Sequence, residues 1–344
     1  MKRRDFIKLS SLLFFSTTAF AKTDSELFIK LPPKNLDFYH IKGKKNGGRV
    51  LLIGGIHGNE VGAYKASDLL VDSEIIKGEL LIIPRSNFTS ILANVRGYNG
   101  DMNRKFDYIS KTDPDYYYVE GLKEIILSYK PDVVISMHDG YGFASENKRA
   151  WGQSVVIDEV RYKDFELYKK AYFVMNEANK VLKRKIAIIN TRTFSGKSHK
   201  EQKKALTGWC LKHNIEAYCI ESSKQLLLND KIKTHLSMLE AFFKLYNIEV
   251  KNLKDIANNL DKYLISSKPK LILNVEGKEI LVKNAQILRV KRGSVITAKI
   301  DGNRGNYIVP RGVNLNWRSF HFSSLSFDIK KDYEKLFSIK IERI

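Results

Sequence analysis

Between residues 49 and 247, short apolar runs take turns with amphipathic stretches, and this alternation limits the fold more than any other feature of the chain. Val50–Ile53 and residues 132–137 (DVVISM) are strand-length apolar runs without the period of two that a half-wet sheet shows, so both faces are expected to be buried. Glu79–Ile83, Val155–Ile157, Ile186–Asn190 and residues 216–221 (EAYCIE) read as further strands. Helical periodicity fills Val61–Val71, 115–129, Tyr162–Leu182, Lys200–Asn214 and Lys231–Tyr246. Strands that alternate with helices predict an α/β fold, with a mostly parallel sheet covered by helices on both faces. Ligands then bind beyond the carboxyl ends of the strands.

The pattern changes near residue 248. Residues 248–270 are polar and read as a linker with some helix, whereas 271–344 carry short strand-like segments separated by turn residues (LILNV, EILVK, VITAKI, NYIVP, SFDIK), the pattern of a small all-β sandwich-like domain. At the other end, residues 1–21 have a basic start, an apolar middle and a small-x-small sequence at Ala19-Phe20-Ala21. They read as a cleavable signal peptide, and Arg3-Arg4 before Asp5-Phe6-Ile7-Lys8 resembles a twin-arginine export motif. The expected organisation is therefore signal peptide 1–21, catalytic domain 22–247, linker 248–270 and β domain 271–344. No later apolar run is long enough to span a bilayer, so no stable membrane insertion is expected.

The formal net charge of +21 favours an anionic partner. An exported protein does not meet nucleic acid, which leaves anionic wall polymer or lipid headgroups. Cys210 and Cys219 are the two cysteines; they could pair in an oxidising compartment or stay as buried thiols.

The chemistry gathers at strand ends. In RVLLIGGIHGNEVGAYKASDLL, His57 and Glu60 follow the first buried run on a glycine-rich turn. The turn is no phosphate loop, because Asn59-Glu60 stands where Lys-Ser/Thr would be needed. In VVISMHDGYGF, His138 ends another strand. Two histidines and a carboxylate are the ligand set of a catalytic zinc that keeps one position open. Residues 86 to 114 lack periodicity and read as a long functional loop. It contains RGYNGDMNRKF, where Arg96 and Arg104 are cations suited to a carboxylate or a developing oxyanion. Asp101 could accept the second N–H of a metal-binding imidazole. Glu221 closes a strand-like run and could act as general base.

HGNE, DMNR, the histidine of SMHDG and Glu221, in that order, resemble the zinc carboxypeptidases over roughly residues 49 to 247. The resemblance implies a mixed sheet between helices and one Zn²⁺ per chain on His57, Glu60 and His138. Asp101 would orient His57, Asn103 and Arg104 would grip a terminal carboxylate, Arg96 would polarise the scissile carbonyl, and Glu221 would be the base. For the family's mobile active-site tyrosine, Tyr141 and Tyr218 are the available counterparts. Together with the leader and the β-rich tail, HDGYGF makes the chain similar to the periplasmic peptidoglycan DL-carboxypeptidases that set cell shape, some of which carry glutamine where His57 stands. The implied activity is removal of meso-diaminopimelate from tripeptide stems, with Trp151, Thr207 and Asp139 as specificity candidates. The alternatives are a zinc amidase of the aspartoacylase and succinylglutamate desuccinylase type, which shares HGNE and DxNR, or an inactive wall-binding scaffold.

Overall fold

The structure, a computed structural model, describes residues 36–266, 270–282, 285–291, 296–301, 304–311 and 323–344. The expected signal peptide lies outside these residues. An eight-stranded sheet forms the body. In chain order its strands are β1 (Tyr39–Lys42), β2 (Lys45–Ile53), β3 (Ile75–Ile83), β4 (Val133–Gly140), β5 (Ser154–Ile157), β6 (Ala187–Asn190), β7 (Ala217–Ser223) and β8 (Glu249–Val250). Their spatial order is β1-β3-β2-β4-β7-β5-β6, with β8 pairing β3. The β3-β2-β4-β7 stretch is parallel, whereas β1 and β8 are antiparallel to β3, and β5 is antiparallel to β7. The sheet is thus mixed, as the family resemblance implied.

Helices cover both faces. They are α1 (Val61–Leu69), α2 (Phe88–Ala93), α3 (Tyr116–Tyr129), α4 (Leu167–Val181), α5 (Leu206–Lys212) and α6 (Leu228–Leu245), followed by α7 (Leu253–Asn258) and α8 (Leu260–Ser266). Strand residues alternate between two cores, because successive side chains leave a sheet on opposite faces. Val50, Leu52, Leu80, Ile82, Val133 and Ile135 join α1, α4 and α6 in one core. Leu51, Ile53, Leu81, Ile83 and Val134 join α3 and α5 in the other. This two-sided burial is the reason the strand runs carry no polar alternation.

Two expectations change. The 86–114 loop contains α2, whose six residues are too few to show a helical period; Asn87 caps it by accepting from the Ser90 N–H at 3.2 Å. The stretch read as a linker with some helix holds α7 and α8, and it is also packed, since Leu253, Ile256 and Leu260 are buried in the first core. Ile248, Leu253, Ile256 and Leu260 are few among polar neighbours, so a polar average hid them.

The C-terminal strands are β9 (Lys270–Val275), β10 (Lys278–Val282), β11 (Gln286–Val290), β12 (Ile296–Asp301), β13 (Asn306–Arg311), β14 (Ser324–Lys331) and β15 (Glu334–Arg343). They form a three-stranded sheet, β10-β9-β12, and a four-stranded sheet, β11-β15-β14-β13. Leu271, Leu273 and Val282 of the first share a core with Ile308, Phe327, Ile329, Ile339 and Ile341 of the second, which makes a sandwich. The sandwich is joined to the body by a buried ionic contact. Arg85 donates from Nε to Asp332 Oδ1 at 2.6 Å and from Nη1 to Asp68 Oδ1 at 2.8 Å. Beside it, Tyr307 meets Phe88 edge-on, with ring centroids 6.3 Å apart.

Candidate active site

β2, β4 and β7 end along one edge of the sheet, and the site is built there. The register pairs Ile53 with Ser136 and His138 with Glu221, so the residues that follow β2 meet the last residues of β4 and β7. The turn after β2 needs its glycines at two places. Gly55 has φ +71°, and a Cβ on Gly58 would lie 2.0 Å from the Ser90 carbonyl carbon. The turn is also tied to the next strand's loop: the Ser86 and Asn87 N–H groups donate to the carbonyls of Gly54 and Gly55 at 3.1 and 3.0 Å.

His57, Glu60 and His138 are all buried, and their donor atoms converge. His57 Nδ1 lies 3.0 Å from Glu60 Oε1 and 3.1 Å from His138 Nδ1, and His138 Nδ1 lies 2.8 Å from Glu60 Oε2. Each imidazole is held by its far nitrogen. His57 Nε2 is 2.9 Å from Asp101 Oδ1, and His138 Nε2 is 2.9 Å from Ser136 Oγ. Donation through Nε2–H in both rings turns both Nδ1 lone pairs toward the shared centre. Two imidazole lone pairs facing each other beside a carboxylate in a buried space repel unless a cation sits between them. The donor set therefore fits a metal ion, and nitrogen and carboxylate ligands suit zinc. Burial works against the Glu60 carboxylate; when the imidazoles instead carry protons, His57 and His138 outweigh that burial and hold its pKa well below the usual range.

Asp101 is the residue that meets the His57 ring at Nε2. It also caps the 3₁₀ turn Met102–Arg104 through the Asn103 N–H at 2.9 Å. Arg96 reaches Glu60 Oε1 at 3.3 Å and Asp101 Oδ2 at 3.0 Å, with about half of its side chain open to solvent. Its guanidinium thus sits at the mouth of the site. Asn103 accepts the Leu206 N–H on Oδ1 at 3.0 Å, which leaves its Nδ2 hydrogens to donate outward. Arg104 is locked against the Asn103 carbonyl through Nη1 at 3.0 Å. The two present an amide N–H₂ and a guanidinium from one turn, a pair suited to a carboxylate.

Glu221 is buried, and its Oε2 has no hydrogen-bond partner among the described residues. Among the described residues, Oε1 is met by the Cys219 thiol, at 3.7 Å. Burial, reinforced by Glu60 and Asp139, raises its pKa well above the carboxylate range. A carboxylate kept from water and left without a strong donor is primed to take a proton.

A cavity of about 640 Å³ connects these groups; it is lined by His57, Glu60, His138, Asn103, Arg104 and Glu221, among others. Trp151 borders it, edge-on to His199 with centroids 5.8 Å apart, and Thr207 borders it beside Asp158. Asp139 also lines the cavity, but the protein itself engages its carboxylate. Its carboxylate is fully buried and taken up by the Gly62 N–H at 2.7 Å, Ser222 Oγ at 2.5 Å and His235 Nε2 at 3.0 Å. It anchors the start of α1, and these three donors take up most of its capacity to accept. Tyr218 is excluded as a mobile tyrosine, being buried and bonded to Glu216 Oε1 at 2.7 Å, whereas Tyr141 is exposed at the cavity rim. Cys210 and Cys219 are free thiols on α5 and β7.

The sequence reading missed Ser136 and Lys224. Ser136 lies two residues before His138 on one strand, so the period of two was an available signal. Lys224 lies 3.5 Å from Glu60 Oε1 and stacks over Tyr141 at 4.6 Å; nothing local marks it.

A mixed sheet with two histidines and a glutamate at the ends of its parallel strands, a buried glutamate beside them and an Asn-Arg pair facing them defines a metallocarboxypeptidase. The model of a family described as the catalytic part of the carboxypeptidases controlling helical cell shape matches residues 12–266. The chain belongs to that family. Among solved structures, it is similar to a glutamine-to-histidine variant of the cell shape determinant protein Csd4 from Helicobacter pylori, at 24% identity and a TM-score of 0.69, covering 90% of this chain and 77% of that one. The mDAP-bound form of Helicobacter pylori Csd4, named a D,L-carboxypeptidase, matches with a TM-score of 0.69 at 23% identity, covering 89% and 75%. At these identities the likeness carries the fold. A search of curated protein sequences finds no match.

Proposed function

We propose that this protein is a zinc-dependent, periplasmic DL-carboxypeptidase that removes the terminal meso-diaminopimelate from peptidoglycan tripeptide stems and so contributes to cell shape. The observation that carries the reading is the buried, partnerless Glu221 oxygen beside a metal-ligating triad, with the Asn103–Arg104 clamp on the same cavity. His57, Glu60 and His138 would hold the zinc, which when bound would supply Lewis acidity.

The chain's own groups do the rest. Arg104 and Asn103 hold the free carboxylate of the last residue, so the bond one residue in faces the triad. Arg96, at the mouth, offers its cation to the oxyanion that develops on the carbonyl. Glu221 takes a proton from the attacking water and passes it to the leaving amine, a transfer favoured by its raised pKa. Asp101 and Ser136 keep both imidazoles in the required orientation.

The family match, Csd4 structures with bound tripeptide and with bound mDAP, and the basic surface support peptidoglycan as substrate. The leader read at residues 1–21 supports export. No helix among the described residues is long and apolar enough to cross a membrane. Incubation with defined tri-, tetra- and pentapeptide muropeptides, followed by mass spectrometry, tests the reading. Loss of diaminopimelate from the tripeptide alone is expected. Release of D-alanine from longer stems overturns the substrate, and cleavage of small acyl-amino acids alone hands the chain to the amidase alternative.

A further inference from the structure

Asp158 follows β5 and borders the same cavity as the metal triad and the carboxylate clamp. It is 4% exposed. Its carboxylate accepts hydrogen bonds from the hydroxyls of Thr193 and Thr207, and no basic side chain among the described residues pairs with it. Burial raises its pKa, and neighbouring Glu159 adds to that effect. A buried carboxylate without a cation is an expensive residue if its only task is to bracket two hydroxyls, because an amide would do that without charge.

Its position gives the charge a use. Thr207, which bonds Asp158, directly follows Leu206, whose N–H holds Asn103 Oδ1. The clamp for the terminal carboxylate and the buried Asp158 are thus fastened to consecutive residues at the start of α5, whose Cα atoms lie about 3.8 Å apart. A leaving residue gripped at its α-carboxylate by Asn103 and Arg104 has Asp158 within reach of one long side chain.

We propose that Asp158 is a specificity-determining residue: its carboxylate receives the distal ammonium of a diamino-acid leaving residue. The inference deepens the proposed function and rests on it. The arriving ammonium supplies the countercharge that the protein omits, and Thr193 and Thr207 aim the carboxylate at it. A leaving residue without that amino group leaves Asp158 buried and unmatched, which is how a polar site rejects an analogue that lacks one hydrogen-bonding group.

Two peptides that differ only in this group test the assignment. They are γ-D-glutamyl-meso-diaminopimelate and γ-D-glutamyl-L-2-aminopimelate, each assayed with the full zinc-loaded chain and with Asp158→Asn. Wild type should prefer the diamino peptide. In Asp158→Asn its kcat/KM should fall about ten- to a hundredfold, mostly through KM, as expected for a lost bond to a charged group. The 2-aminopimelate peptide should change less than about threefold by the same reasoning. Equal losses on both peptides, or no loss on either, overturn the proposal and leave the carboxypeptidase reading intact. A wild type that cleaves neither peptide overturns both. If Asp158→Asn fails to fold, Asp158→Ser provides the same comparison.

Discussion

Substitution of Asp332 by alanine tests whether the β-sandwich is part of the enzyme's framework. Arg85 is 2% exposed and Asp332 is fully buried. Asp332 accepts two of the three side-chain bonds that Arg85 makes, Nε to Oδ1 at 2.6 Å and Nη2 to Oδ2 at 3.3 Å; the third goes to Asp68 at 2.8 Å. Asp68 is shared with Arg304, 3.2 Å away, and Lys331, 3.4 Å away. Without Asp332, one buried carboxylate faces three cations, and two guanidinium donors lose their acceptor. Removing one member of a buried pair costs about 3–5 kcal/mol. Because Asp68 still holds Nη1, the low end applies, about 3 kcal/mol. At about 2 °C per kcal/mol for a large domain, the unfolding midpoint should fall by roughly 6 °C. Scanning calorimetry of the full chain measures it, and Asp332→Asn, which keeps one acceptor oxygen, should lose less. The effect should reach the metal turn, since Ser86 and Asn87, directly after Arg85, hold Gly54 and Gly55. A midpoint within about 2 °C of wild type would refute the argument, placing these charges among surface pairs worth about 1 kcal/mol or less.

Glu221→Gln should retain metal by elemental analysis and lose about two to four decades of kcat, because an amide cannot take the proton; a near-normal rate would place the base elsewhere. Removal of metal by a chelator should abolish activity and zinc should restore it, whereas His138→Ala should not recover stoichiometric zinc. Acid should weaken the contact between body and sandwich. Burial opposes the Asp68 charge, but Arg85 outweighs it and depresses the pKa, so the stabilisation is complete above the ordinary aspartate range and is lost as pH falls from about 5 toward the depressed folded value. Unfolding midpoints measured against pH should show that slope, and Asp68→Asn should flatten it.

The local parts of the protein were legible in its sequence. Val50–Ile53 and the DVVISM run declare strands buried on both faces, because the period of side chains along a strand depends only on neighbouring residues. His57 and Glu60, three positions apart on a glycine turn, and His138 at a strand end declare metal chemistry, because ligand type and strand termini are also local properties. Tertiary structure alone decided which of these groups meet. The β4–β7 register sets His138 beside Glu221 across 83 residues of chain, and a slip of one position would turn Glu221 to the opposite face. Asp139, adjacent to a ligand in sequence, is bonded to Gly62, Ser222 and His235, and only packing reveals this. The Arg85–Asp332 contact and the burial of Leu253, Ile256 and Leu260 likewise join segments whose sequences carry no sign of one another. Periodicity records which face of an element is dry; the partner on that face is chosen by the shape and charge of distant segments once the chain has closed.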